Sequence, residues 1–191
     1  MMKVADIKAI SNLIKEQDHD IILAVDNTFL TPYFQKPLTL GADVVVHSGT
    51  KYLGGHNDTI CGIVVVNRED LAEHMRLQLK SHGNGLASLD SWLILRGLKT
   101  LPLRMEKHNE NAKLVAEWLR KQPCVTKVFY TGFEDFKGHD IMLKQTSGFG
   151  GMISFSVDSE ETVKKILANV EDVYKRQDLP RPAPRWQFCS L

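Results

Sequence analysis

The chain has 191 residues, of which 24 are lysine or arginine and 23 are aspartate or glutamate, so its formal net charge at pH 7 is +1. This balance gives no indication of a nucleic-acid-binding or membrane-binding surface, and no stretch suggests a transmembrane helix or a secretory signal. The length fits one domain or slightly more, while three widely spaced cysteines favour a reducing compartment, so a cytoplasmic protein is expected.

The first predicted elements are a helix, a buried strand and a short second helix. Residues 4–17 carry apolar side chains at helical spacing with charged residues between them, which indicates an amphipathic helix. Residues 21–25 form a short apolar run and are predicted to be a buried strand that leads into Asp26. Prolines bound a loop and a short helix beyond this strand, and Gly41 is expected to end that helix.

The second predicted strand leads directly into a loop that carries candidate chemical groups. Residues 44–46 are all valine, and Ser48, Thr50, Lys51 and paired glycines follow them. The two hydroxyls could hold a phosphate, and the Lys51 amine could form a Schiff base with an aldehyde if its surroundings disfavour protonation. A phosphate holder beside such an amine suggests pyridoxal 5'-phosphate (PLP). The stretch alone is equally compatible with a solvated loop lysine.

Asp26 follows its strand much as Lys51 follows the next one. Ligands of parallel sheets gather outside the carboxyl ends of the strands, where both side chains are expected to lie. A carboxylate there could pair with the protonated pyridine nitrogen of PLP. Asp26 taken alone could equally be a turn or capping residue. A Walker-type loop fits poorly because the hydroxyls precede the lysine, and a Rossmann nucleotide site fits poorly because no Gly-x-Gly-x-x-Gly follows either strand.

The remaining pattern predicts further strands and helices of an α/β fold, in which some connections can be antiparallel. The predicted elements are a strand over 60–66, a helix over 69–80 capped by Asn67, a helical run from 91 that Arg96 and Gly97 interrupt mildly, an amphipathic helix over 103–121, strands over 125–130 and 151–157, and a helix over 160–169. The apolar side of the long helix is predicted to comprise Met105, Leu114, Val115, Trp118 and Leu119.

Several ordered blocks of this sequence closely resemble one enzyme family. The matching blocks are residues 25–32, 41–43, 48–58 and 96–101, followed by Arg104 and Met105. They resemble the Cys/Met-metabolism family of PLP-dependent enzymes, which includes cystathionine γ-synthase, cystathionine γ-lyase and methionine γ-lyase. Blocks that occur in the proper order are far more specific than any single motif.

The resemblance implies an α/β fold: the second half of the large domain of a fold-type-I PLP-dependent transferase, then the start of a small C-terminal α+β domain. Residues 1–102 would belong to the PLP-binding large domain, and residues 103–171 to the interdomain helix and the start of the C-terminal domain. Residues 172–177 resemble one reading frame of a transposon adapter used in sequencing libraries. Residues 172–191 are therefore interpreted as an artefactual or disordered tail.

The same resemblance assigns roles within the candidate site. It implies that Lys51 is the catalytic residue that binds PLP covalently, that Asp26 pairs with the ring nitrogen, that Ser48 and Thr50 bind the phosphate, and that Thr28 lies near the ring. The family's other cofactor contacts are expected before residue 1, and its substrate-binding arginine after residue 171. No metal site is predicted, and His47 and His56 are assigned to packing and loop structure.

The implied activity is γ-elimination or γ-replacement on sulfur amino acids or O-acylhomoserine, as in transsulfuration. In such a reaction Lys51 would transfer protons at Cα and Cβ of the substrate. The expected partner is therefore a small amino-acid substrate, and the full-length protein is expected to be a homotetramer. The alternative is a catalytically inactive, truncated α/β fragment with at most a partner-binding role.

Overall fold

The computed structural model describes residues 2–17 and 20–169, which contain a three-stranded and a two-stranded sheet with helices packed on them. In chain order the elements are α1 (Ile7–Glu16), β1 (Ala24–Asp26), α2 (Thr31–Phe34), β2 (Val44–Ser48), β3 (Gly62–Val66), α3 (Glu69–His82), α4 (Ser88–Leu98), α5 (Leu101–Leu119), β4 (Val125–Phe129), α6 (His139–Gln145), β5 (Ser154–Val157) and α7 (Glu160–Asn169). A 3₁₀ turn spans Pro37–Leu40, and a π-helical turn spans Gly49–Leu53. The predicted tail over residues 172–191 lies outside the described residues.

β2 is the central strand of the first sheet. β1 runs parallel to it, with Asp26 opposite Val46, and β3 runs antiparallel to it, with Gly62 opposite Ser48. The carboxyl ends of β1 and β2 and the start of β3 therefore lie at the same edge of the sheet. The segments that follow β1 and β2 meet the segment that precedes β3 at this edge.

α1 packs against the first sheet and the 3₁₀ turn. Its N-terminus is capped by Asp6, whose carboxylate accepts a hydrogen bond from the Ala9 amide at 2.9 Å. Ser11 donates from Oγ to the carbonyl of Gly41 at 3.1 Å. Gly41 has φ 103°, a left-handed conformation in which an added Cβ would lie 2.1 Å from the Ser11 hydroxyl. The buried core beneath the helix consists of Ile7, Ala42 and Val45.

A second core lies between the π-helical turn and the start of α5. Met105 is its fully buried member, and it packs with Phe34, Leu53 and Leu101. Leu53 ends the turn that contains Lys51. This core therefore fixes the segment that carries the lysine against α5.

The carboxyl-terminal half of α5 packs on the second sheet, in which β4 and β5 run antiparallel. Ala112 and Ala116 of the helix form a buried core with Tyr130. Their small side chains allow the helix to approach the sheet closely. No helix among residues 2–17 and 20–169 is long and apolar enough to cross a membrane.

Several sequence predictions for the helices are wrong. α3 begins after Arg68, which makes no side-chain capping bond, so the predicted cap at Asn67 does not form. α4 continues through Arg96 and Gly97 to Leu98 without interruption. A glycine weakens a helix by about 1 kcal/mol relative to alanine, and the packing of α4 on the π-helical turn outweighs that cost.

The predicted apolar side of α5 is only partly buried. Met105 and Leu119 are buried, but Leu114, Val115 and Trp118 are exposed by 58%, 47% and 43%. The prediction used the spacing of large apolar side chains, but the closest contact with the second sheet is made by the alanines of α5. The pattern also fails to predict α6, a short and largely polar helix that begins after Gly138 at φ 103°.

Candidate functional site

A chain of hydrogen bonds joins the carboxyl ends of β1 and β2. Oδ1 of Asp26 accepts bonds from the amide of Thr28 at 2.9 Å and from its hydroxyl at 2.6 Å. The same Thr28 hydroxyl oxygen accepts a bond from the Ser48 amide at 2.8 Å. Thr28 is buried, whereas Asp26 is exposed. The structure thus brings Asp26, Thr28 and Ser48 together and leaves a fixed carboxylate facing outward for a ligand.

Lys51 lies in the π-helical turn that follows β2. Its backbone departs from helical geometry, with φ −90° and ψ −121°, and its carbonyl accepts a hydrogen bond from the Gly55 amide at 2.8 Å. The Lys51 side chain is exposed and forms no hydrogen bond or ion pair with the part of the chain that the structure describes. Its amine is therefore available to a ligand at the sheet edge where Asp26 also lies.

The Thr50 side chain is oriented toward the start of β3. Its hydroxyl oxygen accepts a bond from the Cys61 amide at 3.0 Å, and the hydroxyl also lies 3.5 Å from the Cys61 carbonyl. The Gly49 amide donates to the same carbonyl at 2.7 Å. Thr50 therefore ties the lysine turn to β3 and is not part of the chain of bonds around Thr28.

Tyr52 of the lysine turn has two aromatic neighbours, to which the sequence pattern gives no role. The ring of Tyr52 lies 6.4 Å from that of Phe29 and 5.0 Å from that of His108, measured between centroids. Burial raises the pKa of the Tyr52 hydroxyl. Burial, and to a smaller extent the charge of Arg104, lowers the pKa of His108. Nothing in the sequence signals the His108 contact, because α5 reaches the turn only through tertiary packing.

Two buried polar side chains lie behind the strand ends. Asn27 donates from Nδ2 to the carbonyls of Thr31 and Gln35, at 3.1 and 2.9 Å, and so holds the loop after β1. His47 is only 4% exposed. Within residues 2–17 and 20–169, neither His47 Nδ1 nor Asn27 Oδ1 has a hydrogen-bond partner. Burial lowers the pKa of His47. The charge of Asp26 and a hydrogen bond with the backbone of Asn27 raise it to a smaller extent.

His47 should make the chain less stable at acidic pH. Because its pKa is lower in the folded state, the unfolded chain binds more protons below about pH 6.5, and the free energy of unfolding falls as the pH decreases. One such group contributes a slope of at most about 1.4 kcal/mol per pH unit. We expect His47→Gln to reduce the slope of the free energy of unfolding against pH, measured by urea unfolding between about pH 6.5 and 5. Equal slopes in the wild type and in His47→Gln would contradict this prediction.

Other features near the strand ends are structural. His56, in the loop after the lysine turn, lies with Nδ1 2.7 Å from the carbonyl of Gly54, so that nitrogen donates to the turn when it carries a proton. Cys61 is buried, and burial raises the pKa of its thiol. Among the described residues, no group of His, Cys, Asp and Glu side chains is arranged to hold a metal ion.

Known proteins resemble this chain over most of its length. The family described as "Cys/Met metabolism PLP-dependent enzyme" matches residues 1–179. Cystathionine beta-lyase of Lactococcus lactis subsp. cremoris (strain MG1363) is 49% identical over 170 residues, which are 89% of this chain and 44% of that protein. Cystathionine gamma-lyase of Bacillus subtilis (strain 168) is 46% identical over 171 residues, which are 90% of this chain and 45% of that protein.

A solved structure with a similar sequence also shares the fold of this chain. The structure of cystathionine gamma-lyase from Lactobacillus plantarum complexed with L-serine matches with a TM-score of 0.84 and 41% identity, over 88% of this chain and 44% of that one. The chain thus spans less than half the length of the relatives it matches. The family resemblance and the expected α/β fold are confirmed, and the chain belongs to the Cys/Met-metabolism family of PLP-dependent enzymes.

Proposed function

We propose that this chain is part of a PLP-dependent transsulfuration enzyme that acts on sulfur amino acids or O-acylhomoserine by elimination or replacement. The observation that carries the proposal is the arrangement at the carboxyl ends of β1 and β2. There an exposed carboxylate, Asp26, is fixed by Thr28 at the same sheet edge as the exposed amine of Lys51. The relatives named as cystathionine and methionine lyases support the substrate class.

The residues present fit PLP. The Lys51 amine would bind the aldehyde carbon covalently, and the Asp26 carboxylate would pair with the ring nitrogen. The Ser48 hydroxyl makes no hydrogen bond within the described part of the chain, so it is available to the phosphate. Thr50 accepts a bond from Cys61, but its hydroxyl lies 3.5 Å from the nearest carbonyl partner and can donate its proton to a phosphate oxygen instead.

The roles of these residues follow from their chemistry. When bound, PLP withdraws electrons from the substrate's α-carbon. Asp26 would keep a proton on the ring nitrogen, and the bonds from Thr28 would hold the carboxylate in the orientation that this requires. Lys51 would act as the acid and base that transfers protons at Cα and Cβ of the substrate.

We also propose the organisation of the whole protein. Residues 1–102 belong to the PLP-binding domain and residues 103–171 to the interdomain helix and C-terminal domain, which the start of α5 at Leu101 and the separate β4–β5 sheet support. A cytoplasmic homotetramer acting on a small amino acid is in keeping with the family. Large apolar side chains exposed on α4, among them Trp92 and Leu95, favour burial in such an assembly.

The second candidate is a catalytically inactive fragment with at most a partner-binding role. It is favoured by the exposure of both Lys51 and Asp26, because no part of the described chain covers them and excludes water. The two candidates differ in turnover. Release of a thiol and a 2-oxo acid from cystathionine or methionine by the 191-residue chain supports the enzyme, and PLP attachment at Lys51 without turnover supports the inactive fragment.

Covalent trapping tests the PLP site itself. The chain is incubated with excess PLP and reduced with borohydride, and the labelled lysine is located by peptide mass spectrometry. Because the site is exposed, we expect weak retention of free PLP but preferential labelling of Lys51. Lys51→Ala should abolish that label and the visible absorption band of the lysine-bound cofactor. The exposed Lys80 on α3 supplies the control Lys80→Ala, which should change neither. Uniform labelling of surface lysines would contradict the proposal.

A further inference from the structure

One side chain of α5, Arg104, makes several polar contacts with the segment after Lys51. Its guanidinium donates from Nη1 to the carbonyl of Tyr52 at 2.6 Å and from Nη2 to the carbonyl of Leu53 at 3.5 Å. Both carbonyls belong to the π-helical turn, and the first is that of the residue directly after the lysine. The Arg104 side chain thus contacts the backbone of the turn, so the contact does not depend on the side chains of Tyr52 and Leu53.

The same guanidinium also binds the end of α4. Nη2 donates to the carbonyl of Gly97 at 2.9 Å, and Nε donates to the hydroxyl of Thr100 at 3.0 Å. The carbonyls at the C-terminus of a helix carry partial negative charge, which stabilises a cation there. No carboxylate within residues 2–17 and 20–169 forms an ion pair with Arg104. Its charge is therefore compensated by backbone carbonyls of the turn and of α4.

Glycines allow this close contact. A Cβ on Gly97 would lie 2.2 Å from the carbonyl oxygen of Gly54, so only glycine lets α4 approach the turn. Gly55 has φ 75°, and a Cβ there would lie 2.3 Å from Nη1 of Arg104. A side chain at either glycine would therefore displace the turn, the helix end or the guanidinium from this contact.

We infer that Arg104 is a positioning residue that fixes the Lys51 turn against α4 and α5 and so presents the amine at the end of β2. The three nitrogens of the planar guanidinium reach the turn and the end of α4 at the same time, whereas all donors of a lysine ammonium lie on one nitrogen and cannot reproduce this spread of contacts. The inference rests on the proposed function in one respect, namely that the ligand of the Lys51 amine is PLP.

A role as a simple cap of α4 is the competing explanation. A cap would stabilise the helix end without ordering the turn, and the two roles differ in hydrogen exchange at the turn. The Gly54 amide donates to the carbonyl of Gly49 at 2.9 Å, and the Gly55 amide donates to that of Lys51 at 2.8 Å. These amides report whether the turn is closed, and their exchange is measured without PLP.

The test is residue-resolved hydrogen exchange of the 191-residue chain. We expect Arg104→Lys to reduce protection of the Gly54 and Gly55 amides by about tenfold or more, as befits the loss of bonds from a charged donor. Protection in β4 and β5 should stay as in the wild type. The matched control is Arg120→Lys, because Arg120 lies at the other end of α5 and pairs with Asp135. It should leave both amides protected.

Additional variants separate positioning from a general loss of folding. Gly97→Ala should open the turn with Arg104 still present, whereas Gly85→Ala should not, because a Cβ at Gly85 meets no atom within 4 Å. Millimolar ethylguanidinium should restore protection at Gly54 and Gly55 in Arg104→Gly, which a purely destabilised variant would not show. Unchanged protection in Arg104→Lys, or an equal loss of protection in β4 and β5, would overturn the inference.

Borohydride trapping then links the turn to the lysine. We expect the labelled fraction at Lys51 to fall about tenfold or more in Arg104→Lys in parallel with the lost protection. If the wild-type chain does not label at Lys51, the proposed function fails, while hydrogen exchange still decides whether Arg104 holds the turn. If labelling of Lys51 is unchanged in a variant whose turn has opened, Arg104 does not position the amine and the inference is overturned.

Discussion

Met105→Ala is expected to lower the free energy of unfolding by about 3 kcal/mol. Met105 has no exposed surface and packs with Phe34, Leu53 and Leu101, so its truncation leaves a cavity that rigid neighbours fill only in part. Urea unfolding followed by circular dichroism measures the effect. Leu103 lies on the same helix but is 74% exposed. Leu103→Ala should therefore change stability by less than about 0.5 kcal/mol. Similar effects of the two substitutions would contradict the assignment of Met105 to the core.

The Met105 cavity should also affect the lysine turn, because Leu53 ends that turn and contacts the same core. Met105→Ala and Arg104→Lys are expected to differ in how far they lower the stability of the whole chain when they open the turn. The first should lower the stability of the chain and open the turn together with the surrounding core. The second should open the turn with a smaller effect on stability, because the lost contacts are local to the ends of α4 and the turn.

The site elements that could be predicted from sequence are those encoded locally. The valine run of β2 and the apolar run before Asp26 identify neighbouring strands, and the carboxyl ends of parallel strands must share a sheet edge. Proximity of the carboxylate and the lysine turn at that edge follows from this rule alone. The first strand spans Ala24–Asp26 and not residues 21–25, because local propensity does not decide where the hydrogen-bonded ladder ends. The prediction that this strand is buried is wrong, since Ile21 and Ile22 are 46% and 48% exposed. The other strand boundaries differ by only a few residues.

The remaining features depend on contacts between segments distant in sequence. The bond from the Ser48 amide to Thr28 spans 20 residues, and the bond from Arg104 to the carbonyl of Tyr52 spans 52. No spacing rule predicts either bond, because each requires the register of the strands or the packing of α5. Thr50 illustrates the same limit. Its predicted role in binding phosphate stays a prediction, and the sequence gives no sign of the bond that its hydroxyl accepts from the Cys61 amide, which depends on the antiparallel arrival of β3.

Asp26→Asn is expected to weaken PLP binding at Lys51 by about 10- to 100-fold while leaving the fold intact. An asparagine Oδ1 can still accept both bonds from Thr28, so the link to Ser48 should survive. What is lost is the negative charge that would pair with the protonated ring nitrogen. The measured quantity is the PLP concentration that gives half-maximal borohydride labelling of Lys51.

Asp43 provides the matched control for this substitution. Its carboxylate also accepts a backbone bond, from the Leu23 amide at 2.9 Å, but it precedes β2 and so lies at the opposite edge of the sheet from Asp26. Asp43→Asn should leave the half-maximal PLP concentration unchanged even if it lowers stability. One result would contradict this prediction: Asp26→Asn binds PLP as tightly as the wild type, while Lys51→Ala is not labelled by PLP. The ring nitrogen would then be paired with another group. The strand-end carboxylate would then serve only to order Thr28 and Ser48.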